Sequence, residues 1–424
     1  MREFRSFFGF FALGVLSLCL LFFGCGRQNA LDQRDPAIGN VSAVPAARLL
    51  FRYEADVPPP QLPAEVAVDS RDLRIVADFD QNRPLDELDR TITTPDGRRI
   101  LAVYHRSGDL PGEFRLDLYS GDGKLLRPVT PDNLAVHFHD IIRWSPDSSA
   151  LAFVGTLRET AVAAPTPTPV VETAEQPPSE DAQSLEPTAT FSPTPALPPV
   201  MAFRTEQIYL CNPDGDDLRP VTRNEGFIYY YFAWSPNSRM LAAMAVHRRE
   251  WEELERRADT SGLLLTPLGR PRIIELNGRE RRLDDALTAV RPVWSPDSAK
   301  IAIAFDTQLR IYDAEGDNPT QAAIPLRNEL LISSKAYDDA QAAKLGATNA
   351  GEAVASQAPQ PSSLPDPSSL VSFNPIVQVE WTAPDTIYFE TAFVKPMKNA
   401  ADSVTSFVRW HRIILSPPPA NLNR

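Results

Sequence analysis

Trp-Ser-Pro-Asp-Ser at residues 144–148, Trp-Ser-Pro-Asn-Ser at 234–238 and Trp-Ser-Pro-Asp-Ser at 294–298 are three copies of one short phrase. Two weaker copies are Thr-Thr-Pro-Asp-Gly at 93–97 and Trp-Thr-Ala-Pro-Asp-Thr at 381–386, the second with one extra residue. Proline fixes the first central position of a tight turn, and the Asp or Asn side chain bonds back to nearby backbone. Because apolar, β-prone residues flank the copies, each phrase predicts the corner of a β-hairpin.

A second recurring corner lies downstream of the first. Residues 122–130, Asp-Gly-Lys-Leu-Leu-Arg-Pro-Val-Thr, align without a gap with residues 214–222, Asp-Gly-Asp-Asp-Leu-Arg-Pro-Val-Thr, and looser copies begin at Asn277 and Glu315. Asp-Gly and Asn-Gly between β-prone runs are strong hairpin signals. One period therefore contains strand a, the first corner, strand b, a loop, strand c, the second corner and strand d. This order predicts a four-stranded antiparallel sheet.

The period resembles a blade of the TolB-type, WD-repeat-like β-propellers, over roughly residues 90–395. The resemblance implies an all-β propeller fold, and it implies no single activity because this fold serves many unrelated functions. The chain differs from the family pattern in two respects. Serine replaces glycine after Asp or Asn in the three full copies, and long insertions separate the repeats.

Three insertions explain the irregular spacing of the first corners, whose tryptophan-equivalent positions are 51, 90, 60 and 87 residues apart. Residues 160–200 contain ten prolines and no Lys, Arg or Gly, a composition typical of disorder. Residues 247–259 have the pattern of a charged helix with Trp251, Leu254 and Ala258 on one side. Residues 335–370 begin as an alanine-rich helix that is predicted to stop at Gly346. Without these insertions the period is roughly 50 residues, as expected for a repeated blade.

The number of blades depends on the strands that precede the first corner. Residues 47–53 and 73–79 are predicted strands that join those at 378–381, 386–391 and 407–415, so that the beginning of the chain completes the last blade. Five visible units plus these strands predict six blades, with seven as the alternative. The propeller would then span residues 47–416, followed by a tail at 417–424.

The N-terminus predicts export and membrane attachment. Residues 1–24 have a short basic start and a long apolar run, which is the pattern of a signal peptide. Leu-Phe-Phe-Gly-Cys at 21–25 resembles a bacterial lipobox, and the resemblance implies a lipidated Cys25 followed by a tether over residues 25–46. The alternative is an uncleaved anchor helix, because the apolar run approaches the length that spans a bilayer. Both interpretations predict an extracytoplasmic domain anchored to a membrane.

Cysteine usage and charge narrow the classes of function. Cys19 would leave with the signal peptide and Cys25 would carry lipid, so Cys211 remains as a single thiol and the mature chain has no internal disulfide. Core burial must therefore hold the fold. The formal net charge of −13 argues against a nucleic-acid partner, for which a basic surface would be expected.

Catalytic signatures are missing from the sequence, which contains no Gly-x-Ser-x-Gly, His-Glu-x-x-His, glycine-rich phosphate loop or Cys-x-x-Cys motif. We therefore predict no catalytic residues, no cofactor and no metal site.

His137 and His139 could present two imidazoles to a metal, but exposed or hydrogen-bonded histidines are favoured. Residues 214–217 resemble a calcium loop without its remaining ligands, so a hairpin turn is favoured. The run Tyr229-Tyr230-Tyr231 could stack on a sugar or peptide, although packing between blades is favoured.

The insertions are predicted to share one face of the propeller. The first two interrupt links from strand b to strand c, and the third interrupts a link from strand d to the next strand a. Such links emerge at the same end of the antiparallel blades, and we call this end of the propeller the insertion face. Both recurring corners emerge at the opposite end, which we call the corner face. His105, His137, His139 and His247 are also expected on the insertion face, without sharing a metal.

Loops on a rigid scaffold commonly carry binding residues. We therefore predict a non-catalytic platform that binds a protein or cell-envelope partner through the insertion face. The alternative is a propeller lyase or hydrolase that acts on a polysaccharide or another cell-envelope substrate.

Overall fold

Both recurring corners form hairpin turns in the computed structural model of the chain, which describes residues 46–47, 49–61, 71–158, 205–316, 321–349 and 364–416. The predicted signal peptide, Cys25, the 160–200 insertion and the 417–424 tail lie outside the described residues, so those predictions remain predictions. Within the described ranges, no helix has both the length and the apolar character needed to cross a bilayer.

Five sheets are built around these corners, four of them with their strands in the predicted order a, b, c, d. Two N-terminal strands, β1 (Ala46–Ala47) and β2 (Phe51–Glu54), join the outer edges of the last two sheets. Sheet 1 contains β3 (Asp86–Thr93), β4 (Arg99–Arg106), β5 (Arg115–Ser120) and β6 (Leu125–Pro128). Sheet 2 contains β7 (Leu134–His137), β8 (Arg143–Trp144), β9 (Leu151–Leu157), β10 (Gln207–Cys211) and β11 (Arg219–Pro220).

The remaining three sheets repeat this plan. Sheet 3 contains β12 (Phe227–Trp234), β13 (Met240–His247), β14 (Arg270–Glu275) and β15 (Glu280–Arg282). Sheet 4 contains β16 (Val293–Trp294), β17 (Lys300–Phe305), β18 (Gln308–Asp313) and β19 (Gln321–Pro325), with β1 parallel to β19. Sheet 5 contains β20 (Ile376–Ala383), β21 (Thr386–Lys395) and β22 (Val404–Leu415), with β2 antiparallel to β22.

This arrangement is an all-β propeller of four-stranded antiparallel blades, as the sequence predicts. Buried apolar clusters join sheet 1 to sheet 2, 2 to 3, 3 to 4 and 4 to 5. Strand β2 supplies the outer strand of sheet 5, which confirms that the beginning of the chain completes the last blade. The described residues form five sheets, so the predicted count of six blades is not confirmed.

One N-terminal prediction is wrong, because residues 73–79 form a helix instead of a strand. Helix α1 (Leu73–Asn82) begins where the Asp72 carboxylate accepts a hydrogen bond from the backbone N–H of Arg74. Ile75 and Phe79, one helical turn apart, are buried in a cluster with Leu88, Tyr104 and other residues of sheet 1. A short apolar segment can satisfy either periodicity, and here packing onto an existing sheet face selects the helix.

Two further helices correspond to predicted insertions. Helix α2 (Arg248–Ser261) confirms the charged helix, whose bounds differ from the prediction by one or two residues. Helix α3 (Arg327–Asn349) begins earlier than predicted and continues through Gly346, so the predicted stop is wrong. Its early start follows from Leu326 and Leu330, which are buried in the cluster between sheets 4 and 5. Short 3-10 helices are η1 (His139–Ile141), η2 (Pro367–Ser369) and η3 (Ala400–Asp402).

The Trp-Ser-Pro phrase also ties neighbouring blades together. The three corner tryptophans are buried, as predicted, and each indole N–H donates to a backbone oxygen of the preceding strand a: Trp144 to Ile92, Trp234 to Arg143 and Trp294 to Ala233, at 3.1–3.2 Å. The serine at the fifth position of the phrase makes a second contact between blades. Its hydroxyl oxygen accepts a hydrogen bond from a backbone N–H in the corner of the preceding blade: Ser148 from Asp96, Ser238 from Asp147 and Ser298 from Asn237.

These serines explain the departure from the family pattern. Their φ angles are 61°, 62° and 64°, in the left-handed region where glycine is favoured. Glycine at these positions would relieve the left-handed backbone. Because glycine has no hydroxyl, it would also lose the hydrogen bond between blades. A neutral hydrogen bond contributes about 1 kcal/mol, which is comparable to the cost of the left-handed conformation.

Candidate functional site

The insertion face carries the helical and extended links between strands. Helix α2 joins β13 to β14, and the long hairpin of β21 and β22 projects beyond its neighbours in sheet 5. Both are links from strand b to strand c, so they emerge at the same end of their blades. The turns of the two recurring corners lie at the opposite end, as predicted.

Helix α2 is fixed at its N-terminus by polar and aromatic contacts. The Glu250 carboxylate accepts the backbone N–H of His247 at 3.3 Å and pairs with Arg270 at 2.8 Å. One turn into the helix, the Trp251 ring packs against Phe138 of sheet 2 and Tyr230 of sheet 3, with ring centroids 6.0 and 5.7 Å away. The helix therefore lies over the junction of these two sheets.

The C-terminus of α2 is held by the sheet 5 hairpin. Gly262, with φ at 66°, ends the helix, and its carbonyl accepts the backbone N–H of Lys398 at 3.1 Å. The backbone N–H of Leu264 donates to Pro396 at 3.0 Å, and the Lys398 ammonium pairs with Asp259 at 2.8 Å. Links from two different blades thus form one connected structure on the insertion face.

A cavity of about 490 Å³ lies beneath α2, and we call it the α2 cavity. Its aromatic wall consists of Phe114, Phe138 and Trp251. Its polar lining contains four carboxylates and one guanidinium, from Asp140, Glu206, Glu252, Glu255 and Arg248, together with His137 and His139. Apolar walls with a few polar groups are typical of small-molecule and side-chain binding sites.

The charged groups of this cavity differ in how far they are neutralised. Arg248 pairs with Glu252 at 2.7 Å, and Asp140 pairs with Arg90 at 3.1 Å. Glu206 is buried, whereas Glu255 is exposed and forms no ion pair or hydrogen bond with any described residue. Arginine side chains therefore neutralise two of the four lining carboxylates.

A second cavity of about 300 Å³ adjoins the first and shares Phe138 and Asp140 with it. Its other walls include Tyr230, Tyr231 and Arg291. The Tyr230 hydroxyl oxygen is buried and has no hydrogen-bond partner in the described part of the chain. Burial raises the pKa of this phenol well above its ordinary value, so it is a neutral hydrogen-bond donor.

His105 and His247 lie at the insertion-face ends of β4 and β13, as predicted. His137 lies at the other end of β7, opposite Val154 in the middle of β9, and His139 lies in η1. His105 and His139 lie on either side of Phe114, with ring centroids 4.0 and 4.4 Å from it, and His247 packs on Phe227 at 4.0 Å. His139 Nε2 is 3.1 Å from the Asp140 carboxylate. Within the described ranges, no three His, Cys, Asp or Glu side chains are placed to hold a metal ion.

Two other sequence candidates have structural roles. Residues 214–217 form the hairpin turn between β10 and β11, where the Asn212 side chain accepts the backbone N–H groups of Asp214 and Asp216. Cys211 is a free thiol buried between sheets 1 and 2, and burial raises its pKa to about 12, so it is unreactive at neutral pH.

The tyrosine run combines packing with lining of the site. Tyr229 is fully buried between blades, as favoured from the sequence, whereas Tyr230 and Tyr231 line the second cavity. Sequence reasoning missed Glu206, Glu252, Glu255 and Phe138 as lining residues. The periodicity of α2 places its apolar side correctly, but periodicity alone does not identify the surface that this side contacts.

No protein-family model and no curated protein sequence matches the chain. Among solved structures, a protein from Agrobacterium tumefaciens assigned to TolB is similar over 56% of this chain and 65% of its own, with 14% identity and a TM-score of 0.28. Prolyl oligopeptidase B from Galerina marginata matches over 77% of this chain and 36% of its own, with 9% identity and a TM-score of 0.37. Oligogalacturonate lyase from Vibrio parahaemolyticus matches over 86% and 74%, with 8% identity and a TM-score of 0.32.

Proposed function

We propose that this chain is a membrane-tethered, extracytoplasmic β-propeller that binds a protein partner through its insertion face, without catalysis. The observation that carries the proposal is the pair of adjoining cavities under helix α2. Their walls come from two neighbouring sheets and from α2, whose C-terminus is tied to the hairpin of a third sheet. Such a supported, concave surface with aromatic walls suits recognition of protruding side chains.

The partner-binding face is tested by site-specific photo-crosslinking in membranes. A photoreactive amino acid replaces Leu264, which is 56% exposed beside the contact of α2 with the sheet 5 hairpin, or Glu315, which is exposed on the corner face and lines a cavity there of about 400 Å³. We expect a discrete protein adduct from position 264 and none from position 315. An adduct from position 315 alone would assign the function to the corner face instead.

The membrane tether gives a separate prediction. Lipid attachment needs a thiol at the cleavage site, so Cys25→Ser should abolish incorporation of labelled fatty acid. Cys19→Ser removes a thiol from the predicted signal peptide and is the matched control, because it should leave incorporation unchanged. Equal labelling of wild type and Cys25→Ser would contradict the lipoprotein assignment and favour the uncleaved anchor helix.

The competing proposal is an enzyme acting on a polysaccharide of the cell envelope. It is favoured by His139 and Asp140, which lie 3.1 Å apart in a cavity that also holds Glu206 and Glu252. Ion pairs with Arg90 and Arg248 argue for a binding role of Asp140 and Glu252. Release of reducing ends or unsaturated products from acidic polysaccharides, lost in His139→Ala, would move the enzyme ahead of the platform.

A further inference from the structure

We propose that the face of sheet 5 that points away from sheet 4 binds a polysaccharide of amino sugars, with one sugar ring against Trp410 and the ammonium group of that sugar against Glu390. This face carries Tyr388, Glu390, Trp410 and Arg412, and we call it the open face of sheet 5. The inference goes beyond the proposed function, because it concerns a different surface and a different class of ligand from the protein partner of the insertion face.

The open face departs from the pattern of the other blades. Tyr388 and Glu390 of β21 lie opposite Arg412 and Trp410 of β22. Sheets 1 to 4 have buried apolar residues at the same four positions, where they face the next sheet; in sheet 4 these residues are Ala302, Ala304, Leu309 and Ile311. The four side chains of sheet 5 are aromatic or charged, and each keeps part of its surface exposed. Their composition does not suit close packing against another sheet.

Sheet 1, which follows in the order of the blades, lacks the two contacts that join a blade to the preceding one. Its corner has Thr93 and Gly97 where the full copies of the phrase have the tryptophan and the serine that make these contacts. The face of sheet 1 that points away from sheet 2 is covered by α1, through Ile75 and Phe79. Among the described residues, no buried apolar cluster joins sheet 5 to sheet 1. The open face of sheet 5 is therefore not sealed by a neighbouring blade in the way that the other sheet faces are.

Two polar groups of the open face favour a cationic ligand that also accepts a hydrogen bond. The Trp410 indole N–H and the Glu390 carboxylate form no hydrogen bond or ion pair with any described residue. Tyr388 and Arg412, in contrast, are hydrogen-bonded to each other at 3.2 Å, and Arg412 pairs with Glu54. Burial raises the pKa of Glu390 above its ordinary value, and no described cation opposes this shift. An ammonium group beside this carboxylate would lower the pKa again, so the carboxylate favours a cation.

The position of Trp410 directly opposite Glu390 favours an amino sugar over a basic side chain. Directly opposite residues of an antiparallel pair have Cβ atoms about 4.5–5.5 Å apart, so one sugar ring can contact both side chains. The apolar C–H face of the sugar can stack on the indole ring while an ammonium group on the same sugar pairs with the carboxylate. A lysine side chain would lose its rotamer freedom on this open surface, whereas the sugar ring is already rigid. An anionic sugar would be repelled by Glu390.

The test measures binding of three trisaccharides to the purified chain by calorimetry at low salt: the trimers of glucosamine, N-acetylglucosamine and galacturonic acid. We expect the glucosamine trimer to bind most tightly and the galacturonic acid trimer not to bind. Glu390→Gln should weaken binding of the glucosamine trimer about fivefold, the scale of one partly exposed charge contact, and leave that of the N-acetylglucosamine trimer unchanged. Trp410→Ala should weaken binding of both about tenfold, the scale of one stacked ring. Glu390 has no partner to lose, so the melting temperature of Glu390→Gln should not fall.

Glu87→Gln is the matched control, because it removes the same charge from an exposed position of β3 in sheet 1 and should leave binding unchanged. Equal weakening by Glu87→Gln and Glu390→Gln would show an effect of net charge and overturn the site. So would no binding of the glucosamine trimer, or binding that Trp410→Ala leaves unchanged. A blocked trilysine peptide that binds as tightly as the glucosamine trimer would overturn the sugar assignment in favour of a basic peptide. The adduct at position 264 tests a different surface, so this inference and the proposed function can fail separately.

Discussion

Glu280→Leu is expected to lower the free energy of unfolding by about 3–5 kcal/mol, the cost typical of breaking a buried ion pair. Glu280 pairs with Arg272 at 2.6 Å, and Arg272 has no exposed surface. The same carboxylate accepts hydrogen bonds from Tyr229 and Asn224, both at 2.7 Å. All of these groups lie where sheets 2 and 3 pack together, so the variant takes this carboxylate away from a buried guanidinium.

The double variant Arg272→Met/Glu280→Leu distinguishes two causes of this loss of stability. One is the lost attraction between the two charges, and the other is the cost of burying a guanidinium that has lost this carboxylate. Removing both charges leaves apolar side chains of similar size beside the Phe227 ring, which Arg272 now covers at 4.6 Å. We expect the double variant to recover most of the stability, as replaced buried pairs commonly do. Asp339→Asn, which breaks the exposed pair with Lys335, is the control and should change stability by less than about 0.5 kcal/mol. Urea denaturation measures all three, and a double variant as unstable as Glu280→Leu would contradict the explanation.

The repeated blade could be derived from the sequence because its signals are local. A proline and an Asp or Asn in each corner determine the turn, and the flanking strands follow from alternation and β-propensity. The contacts of Ser238 and Trp234 with the preceding blade are not local, and nothing in the phrase itself indicates them. The family expectation of glycine at position 238 concerns the backbone alone, so it misses the hydroxyl that ties two blades together.

From the sequence alone, the candidate site could be assigned to the insertion face, but the cavity within that face could not be predicted. Topology places the links on one end of the blades, and that prediction agrees with the positions of α2 and of His105 and His247. The cavity itself depends on Trp251 meeting Phe138, which is more than 100 residues away in sequence. The Gly262 and Lys398 contact is equally remote. Pairings at such separation follow from packing in three dimensions, which periodicity does not encode.

The attachment of the N-terminal strand β2 to β22 depends on a buried histidine, His411, so we expect the stability of the propeller to depend on pH. His411 of β22 has no exposed surface, and it contacts the Tyr53 hydroxyl of β2 through Nδ1 at 2.8 Å and the Thr391 hydroxyl through Nε2 at 3.0 Å. Burial, assisted by the nearby positive charge of Arg409, lowers the pKa of His411 to about 4, although Asp56 opposes this shift. The folded propeller therefore holds a neutral imidazole.

Unfolding exposes His411 to water, where its pKa returns to about 6.5. Between about pH 6.5 and pH 4 the unfolded chain binds this proton and the folded chain does not, so acidification favours unfolding. The contribution is fully present above about pH 6.5 and is lost as the pH falls, by about 2 kcal/mol at about pH 5 and by about 3 kcal/mol near the folded pKa. His411→Gln cannot titrate but can still bond both hydroxyls, so its stability should fall less between about pH 7.5 and pH 5. Urea denaturation of both proteins at the two pH values gives the difference directly. Parallel losses would show that His411 is already protonated in the folded chain and that β2 is not attached through a neutral imidazole.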